Sequence, residues 1–451
     1  MKRIIALLLA LVTLTLCFAA CAETSGSDET TKGDEIAAPV ETEGETAPVE
    51  TEPPTDEWGR PYVESPTAEG TKLADGTVIT VLMRDSDTWN RELFSESETG
   101  DMLNDEIYKR NLKLQEDLNF TFEFIKSASK EESSRTIIAE FESGGSSGLD
   151  IVSNYAYYST NASLRDCYVN LHTLETLNLE NPWWNQTYVE AATIKDQLYF
   201  CTGDIATSML WYMVAFMYNK DLYKDYFGEE KTPMDMVSNN EWTLQNFLAM
   251  VQDVYVDSDN NGQKDVTDFY GATVYSTDIT AFMIGAGITS FEKTEDGGLR
   301  ISEKWNSQRC ADICETVGEA MKLTGIICND DRTTFRTQQS IFHMDRIFLI
   351  KGVDNGNSED KVEFPCGVVP VPKYDNNQEK YRTNLGNPYT IYAVNASSKI
   401  ADIAVTTLEA MGSENYRSVT PAVFEITLKL KYAQDDITGQ MYDLIRQNVS
   451  F

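Results

Sequence analysis

Apolar and polar positions alternate along this chain with two different periods, and together they lay out a series of strands and helices. Thr77-Val78-Ile79-Thr80-Val81-Leu82-Met83 is a β-branched run bounded by Gly76 and by Arg84-Asp85, which predicts a buried strand. Leu103, Ile107, Leu114 and Leu118 then share one helical face, and Phe120, Phe122 and Phe124 alternate as a second strand. Residues 134–141 have a helical pattern, residues 144–148 form a glycine-rich turn, and Leu149-Asp150-Ile151-Val152-Ser153 reads as a third short strand. Further on, residues 211–218 predict an aromatic-rich strand and residues 243–256 a helix followed by a polar loop. Residues 389–394 predict a strand, and residues 400–411 and 423–431 two helices. Strands alternating with helices imply parallel βαβ units and an α/β fold class. Ligands of such sheets gather at the carboxyl ends of the strands. The loops after Met83 and Ser153 are therefore the first places to look, and they carry Trp89 and Asn154-Tyr155-Ala156-Tyr157-Tyr158.

The amino-terminal stretch follows a different rule. Lys2 and Arg3 precede an apolar run that ends in Phe18-Ala19-Ala20-Cys21, the pattern of a secretory signal over residues 1–20. Its ending resembles a bacterial lipobox, which implies lipidation at Cys21 and an anchor on the extracytoplasmic face of the cell membrane. Residues 21–61 begin with that cysteine and continue in Glu, Thr, Pro, Ser and Gly, with Ala38-Pro39-Val40-Glu41-Thr42-Glu43 echoed over residues 47–52. Such a tract buries too little apolar surface to offset chain entropy and reads as an acidic, disordered tether. The remainder is long enough for two lobes rather than one core.

The formal charge of −35 argues against nucleic acid and against electrostatic adhesion to anionic lipid. The only histidines are His172 and His343, which excludes a multi-histidine metal site. Gly144-Gly145-Ser146-Ser147-Gly148 matches a nucleophile-elbow pattern by letter, but a helix precedes it and a strand follows, the reverse of the required order. Beyond Cys21 the cysteines are Cys167, Cys201, Cys310, Cys314, Cys328 and Cys366. Export permits disulfides, their spacing matches no small stapled scaffold, and buried free thiols are the alternative.

The sharpest motif is Asp257-Ser258-Asp259-Asn260-Asn261-Gly262-Gln263-Lys264-Asp265-Val266-Thr267-Asp268. Oxygen side chains stand at loop positions one, three, five, nine and twelve, with glycine at six for the sharp turn, a spacing that wraps one calcium ion. Asp257, Asp259, Asn261 and Asp268 would ligate by side chain, Gln263 by its carbonyl, and Asp265 directly or through water. Asp268 stands where an EF-hand carries a longer glutamate. A single such loop in an exported protein points to structural bracing.

The export signal, the strand order, Leu149-Asp150-Ile151-Val152, Met217-Tyr218-Asn219-Lys220-Asp221-Leu222, Glu241-Trp242-Thr243 and the segment 364–372 before Lys373-Tyr374 have a family look. Together, over residues 72–451, they resemble the extracellular solute-binding proteins, family 1, of ABC importers. The resemblance implies a two-lobed periplasmic-binding-protein-like fold (type II) with a hinge between the lobes. On that reading lobe 1 takes residues 72–200 and 388–430, lobe 2 takes residues 201–387 and 431–451, and the family's last helices would extend beyond Phe451. It implies a lipid-anchored monomer that captures a small ligand and presents it to a permease, with no enzymatic step. Aromatic rings meet the flat C–H faces of sugars, while carboxylates, amides and guanidinium groups meet the hydroxyls. The aromatic supply therefore favours a sugar, with Trp89, Tyr155, Tyr158, Trp184 and Trp211 as candidate platforms. Asp204, Asp345, Arg346 and Asn387 are candidates from their places near strand ends and hinge crossings. A surface glycosidase and a ligand-free scaffolding lipoprotein are the rival readings.

Overall fold

The computed structural model describes residues 54–66, 72–86, 90–145, 147–351, 362–433 and 435–451. The expected signal, Cys21 and most of the expected tether lie outside these residues.

The first sheet has four strands in the order β13-β3-β1-β2. Strands β1 (Thr77–Met83), β2 (Phe120–Lys126) and β3 (Ile151–Tyr155) run parallel, and β13 (Thr390–Val394) lies antiparallel on β3. Ile79, Val81 and Met83 face one core while Leu82 joins another with Val152 and Ile391. Apolar residues on both faces are what a helix-covered parallel sheet demands. Helix α1 (Met102–Leu118) is started by Asp101, whose carboxylate accepts from the Asn104 N–H, and is stopped by left-handed Asn119. Helices α2 (Lys130–Glu142) and α3 (Ala156–Ser163) pack on one another beside β3, and the glycine turn after α2 feeds that strand.

The second sheet runs β11-β4-β10-β6-β5, with β9 (Ile326–Asn329) also paired to β6. Its strands are β4 (Val214–Asn219), β5 (Tyr255–Val256), β6 (Phe269–Tyr275), β10 (Ser340–Arg346) and β11 (Cys366–Val369). All six residues of β4 are buried, and Phe216, Trp242, Phe247 and Phe342 pack around it. A short hairpin, β7 (Phe291–Lys293) and β8 (Leu299–Ile301), projects from this lobe, and β12 (Thr383–Asn384) pairs with β14 (Val449–Ser450). Helices α4 (Gln186–Ala192) and α5 (Ala281–Gly285) belong to the first and second lobes respectively.

The chain crosses between the sheets after Cys201, which bridges Tyr392, and returns before Thr390. The two crossings lie side by side, since Met213 bridges Leu385 and the Gly386 N–H donates to the Tyr212 carbonyl at 2.8 Å. A third crossing joins the helical run packed on α1 to α7 (Asp436–Gln447), which packs on β11. No helix among the described residues is long and apolar enough to cross a membrane.

Some sequence expectations shift. The strand expected from residue 211 begins only at Val214, because residues 208–211 form a helical turn, and the helix expected over residues 243–256 stops at Val251, with Tyr255–Val256 in β5. The two expected C-terminal helices are one continuous run: α6 (Ala401–Glu414) passes into wide π-type turns over Asn415–Val419 and Pro421–Tyr432. Pro421 has no N–H to give its i−4 partner, which favours the wider register there. Within residues 21–61, the chain from Pro54 onward is ordered against this run. The Arg60 guanidinium lies 4.1 Å from the centre of the Tyr416 ring, and the Tyr416 hydroxyl donates to the Pro61 carbonyl at 2.8 Å.

One glycine in the first crossing is structurally required. Gly203 has φ of +154°, and a Cβ there would lie 2.1 Å from the Trp183 carbonyl oxygen. Gly203→Ala is expected to destabilise the protein by about 3 kcal/mol or more, read as a lower denaturation midpoint at unchanged slope.

Candidate functional site

The carboxyl ends of β1 and β3 bring the first wall of a cleft together. Arg84 follows β1 directly, is 3% exposed, and donates to the Thr390 hydroxyl at 2.6 Å. Its guanidinium lies 5.7 Å from the centre of the Tyr155 ring. Burial pulls the Arg84 pKa down, against the attraction of Glu92. The Glu92 carboxylate is itself buried and accepts from the Ser208 N–H at 2.7 Å, so it ties the first lobe to the crossing. Tyr155, Tyr157 and Tyr158 form an aromatic cluster, with the Tyr158 ring 5.1 Å from Tyr155 and 5.0 Å from Tyr157. The Tyr155 hydroxyl donates to Asn387 Oδ1 at 2.6 Å, and Asn387 is exposed.

The second wall comes from the carboxyl ends of β6 and β10. Arg346 Nε donates to Asp278 at 2.9 Å and Nη2 donates to the Thr277 hydroxyl at 3.1 Å. The same guanidinium lies 5.4 Å from the Tyr275 ring centre and 5.8 Å from that of Phe348. Arg332 covers the Tyr275 ring at 3.8 Å and pairs with Asp345. Arg346 meets the crossing at Gly386, where a Cβ would lie 2.4 Å from the arginine Cδ. Asn387, one residue on, carries that contact to Tyr155. Buried Tyr212 sits among Arg84, Glu92, Arg346 and Tyr155 and so joins the two walls.

Two carboxyls of the second wall titrate in opposite directions. Burial raises Asp278 to about 6, with Arg346 opposing the shift and Asp345 reinforcing it. Burial also pushes Asp345 up, but His343 and Arg332 more than offset it and hold it well below the usual range. Asp278 thus keeps its proton more tightly folded than unfolded, and stability falls as pH rises from its ordinary 3.8 towards about 6. Asp278→Asn is expected to flatten that part of the stability profile in denaturant melts between about pH 4 and pH 7. An unchanged slope would assign the effect to other groups.

Of the residues expected here from sequence, Tyr155, Tyr158, Arg346 and Asn387 come together. Trp89 lies outside the described residues. Trp184 does not reach the cleft: it is 2% exposed, and its indole N–H donates to Glu409 at 2.8 Å inside the core, beside equally buried Trp183. Asp204 is also elsewhere, clamped by Arg446 of α7 and the Thr420 hydroxyl, both at 2.9 Å, so it staples the C-terminal helices to the crossing. Trp211 is packed under residues 347–350, with the Lys351 ammonium 4.5 Å from its ring. Its buried indole N–H has no hydrogen-bond partner among the described residues. Arg84, Tyr212, Tyr275, Asp278 and Arg332 were not singled out from sequence. Arg84 alone carried a local signal, being the residue directly after a predicted strand.

A separate cluster occupies the loop after β5. Asp257, Asp259 and Asp268 bring carboxylate oxygens within 4.8 Å of one another. Asp268 is fully buried and accepts from the Tyr255 hydroxyl at 2.9 Å and the Ser258 N–H at 3.0 Å. Gly262, at φ of +72°, turns the loop so that its N–H reaches Asp257 at 2.9 Å. Asn261 donates to Asp265 at 3.0 Å, and the Gln263 carbonyl faces the Tyr255 hydroxyl at 3.4 Å. Burial and the bond to Asp268 push the Tyr255 phenol up to about 12. No Lys or Arg among the described residues pairs with the three clustered carboxylates; Lys264 turns away to the Leu323 carbonyl at 2.7 Å. Three carboxylates converging without a cationic side chain, one of them fully buried, fit a hard cation held by oxygen. All six cysteines of the folded part are free thiols.

No family model and no curated protein matches the chain. Solved structures do. A cyclo/maltodextrin-binding protein complexed with maltotetraose superposes with a TM-score of 0.55 at 11% identity, covering 84% of this chain and 87% of that one. A maltose/maltodextrin-binding domain from Bdellovibrio bacteriovorus bound to maltotriose gives 0.48 at 12% identity, over 83% and 88% of the two chains. An ABC substrate-binding protein from Listeria monocytogenes in complex with cycloalternan gives 0.48 at 12% identity, over 82% and 83%. The first of these shows that the chain shares the two-lobed α/β fold of that cyclo/maltodextrin-binding protein.

Proposed function

We propose that the protein captures a neutral oligosaccharide between its lobes and delivers it, unaltered, to an ABC permease. The observation that carries this reading is the meeting of Tyr155 and Asn387 from one side with Arg346 and Tyr275 from the other, around the adjoining crossings. Rings, an exposed amide and guanidinium groups suit the C–H faces and hydroxyls of a sugar. The cleft arginines of the second wall are already matched by Asp278 and Asp345, which favours an uncharged ligand. Lobe closure about the crossings would exclude water and create the surface a permease reads. In the same reading Cys21 carries the lipid, the protein stands as a monomer on the extracytoplasmic face of the membrane, and Asp257, Asp259, Asn261, Gln263, Asp265 and Asp268 hold a structural calcium ion. The bound ion would brace the loop between β5 and β6 and supply no chemistry to the ligand.

The test is a thermal-shift panel of sugars, peptides and polyamines, followed by calorimetry and chromatography of whatever binds. A neutral oligosaccharide that raises the melting temperature and is recovered intact supports the reading. Recovery of cleaved sugar would instead make the protein a glycosidase, and a response to peptides alone would overturn the ligand class.

A further inference from the structure

We propose that a second cavity between the lobes, separate from the saccharide cleft, binds an amphipathic organic anion: an aliphatic or aromatic body carrying one carboxylate. The cavity measures about 620 Å³ and has none of Tyr155, Asn387 or Arg346 in its lining. That volume suits a single drug-sized molecule, the usual range being about 300–1,000 Å³. One wall is α4 of the first lobe, through Thr187 and Ala191. The other is α5 and the β7–β8 hairpin of the second lobe, where Met283, Ile288, Phe291, Leu299 and Trp305 make the surface predominantly apolar. Phe291 is 61% exposed and Trp305 45% exposed, so large rings border an open space rather than a filled core.

The wall separation is held by contacts between the lobes. The Lys195 N–H donates to the Gly297 carbonyl at 2.9 Å, Lys195 pairs with Asp296 at 3.6 Å, and the Lys293 ammonium donates to the Thr193 carbonyl. These bonds bring the hairpin against the turn that follows α4, so the cavity is a product of both lobes.

The charge pattern selects the ligand's polar end. Glu292 is satisfied by Arg300 and by the Ser302 hydroxyl, and Lys293 by Thr193. Arg382 is half-buried in the lining, and no carboxylate or other acceptor among the described residues meets its guanidinium. Glu190 is exposed at the rim and does not reach it. A guanidinium with no acidic side-chain partner among the described residues, bordering an apolar cavity, is complementary to a carboxylate attached to a hydrocarbon body. The inference does not rest on saccharide capture: a failed sugar screen leaves it standing, and a failure here leaves the cleft reading untouched.

The experiment titrates the full chain with 8-anilinonaphthalene-1-sulfonate and then displaces the probe with decanoate or with decanol. Saturable one-site binding is expected, displaced by decanoate at about a tenfold lower concentration than by decanol, the ratio a charge-assisted contact gives. Arg382→Gln should weaken the probe about tenfold, Arg382→Lys should restore most of the loss, and Ala191→Phe should abolish binding by filling the cavity. Melting temperatures check that the variants fold, and the Gln and Lys pair decides the matter should Ala191→Phe not fold. Absence of saturable binding, equal potency of decanoate and decanol, or wild-type affinity in Arg382→Gln overturns the proposal.

Discussion

If the proposed calcium site is real, chelation is expected to lower the melting temperature of the wild-type protein by roughly 3–5 °C, and Asp257→Ala is expected to abolish that sensitivity while melting at the chelated value. The magnitude follows from linkage: an ion present at about a hundred times its dissociation constant adds about 2.7 kcal/mol to the state that binds it, and a large domain converts each kcal/mol into one or two degrees. The direction follows from geometry, since the carboxyl oxygens of Asp257, Asp259 and Asp268 lie within 4.8 Å of one another, where a bound cation would offset their mutual repulsion. Scanning calorimetry with and without chelator reads the effect. Identical melts in both conditions would remove calcium from the account, leaving an Asp-rich turn held by its backbone bonds.

Arg346→Ala is expected to weaken the best saccharide of the panel by about tenfold to a hundredfold, the cost of losing hydrogen bonds from a charged donor. The side chain does three things at once: it donates to Asp278 and Thr277, it flanks Tyr275, and it packs on Gly386 next to Asn387. Its removal also strips Asp278 of the cation that opposes its raised pKa, so that carboxyl titrates higher still. Affinity in the variant should therefore change with pH across the neutral range more than in the wild type. Calorimetric titration at several pH values reads both effects. Wild-type affinity in a variant that folds normally would mean the ligand sits elsewhere.

Periodicity carried much of the fold. The β-branched run at residues 77–83, the phenylalanine alternation in β2 and the amphipathic α1 are local patterns, and they appear as read. Residues 211–213 misled because aromatic side chains suit a strand and a buried helical turn equally well, and burial rather than period decides between them. Pro421 was the local mark of the wide turns in the C-terminal run, but the pattern around it is apolar enough to pass for an ordinary helix. The tryptophan pair misled for a related reason. A ring costly to expose can be placed in a cleft or in a core, and Glu409, some 225 positions away, is what draws Trp184 into the core.

The same division runs through the whole molecule. Short-range chemistry was enough for β1, β2, β3 and β13, for the glycine and oxygen spacing of the acidic loop, and for the class of fold that strand–helix alternation implies; most strands of the second sheet were not legible in it. Those features depend on neighbours a few positions apart, and such neighbours are printed side by side in the chain. The two walls of the cleft depend on pairs such as Tyr155 with Asn387 and Arg346 with Asp278, which lie 232 and 68 positions apart. Whether a tyrosine faces ligand or core, or an arginine is matched or left open, is settled when distant strand ends meet, so only the folded chain could decide it.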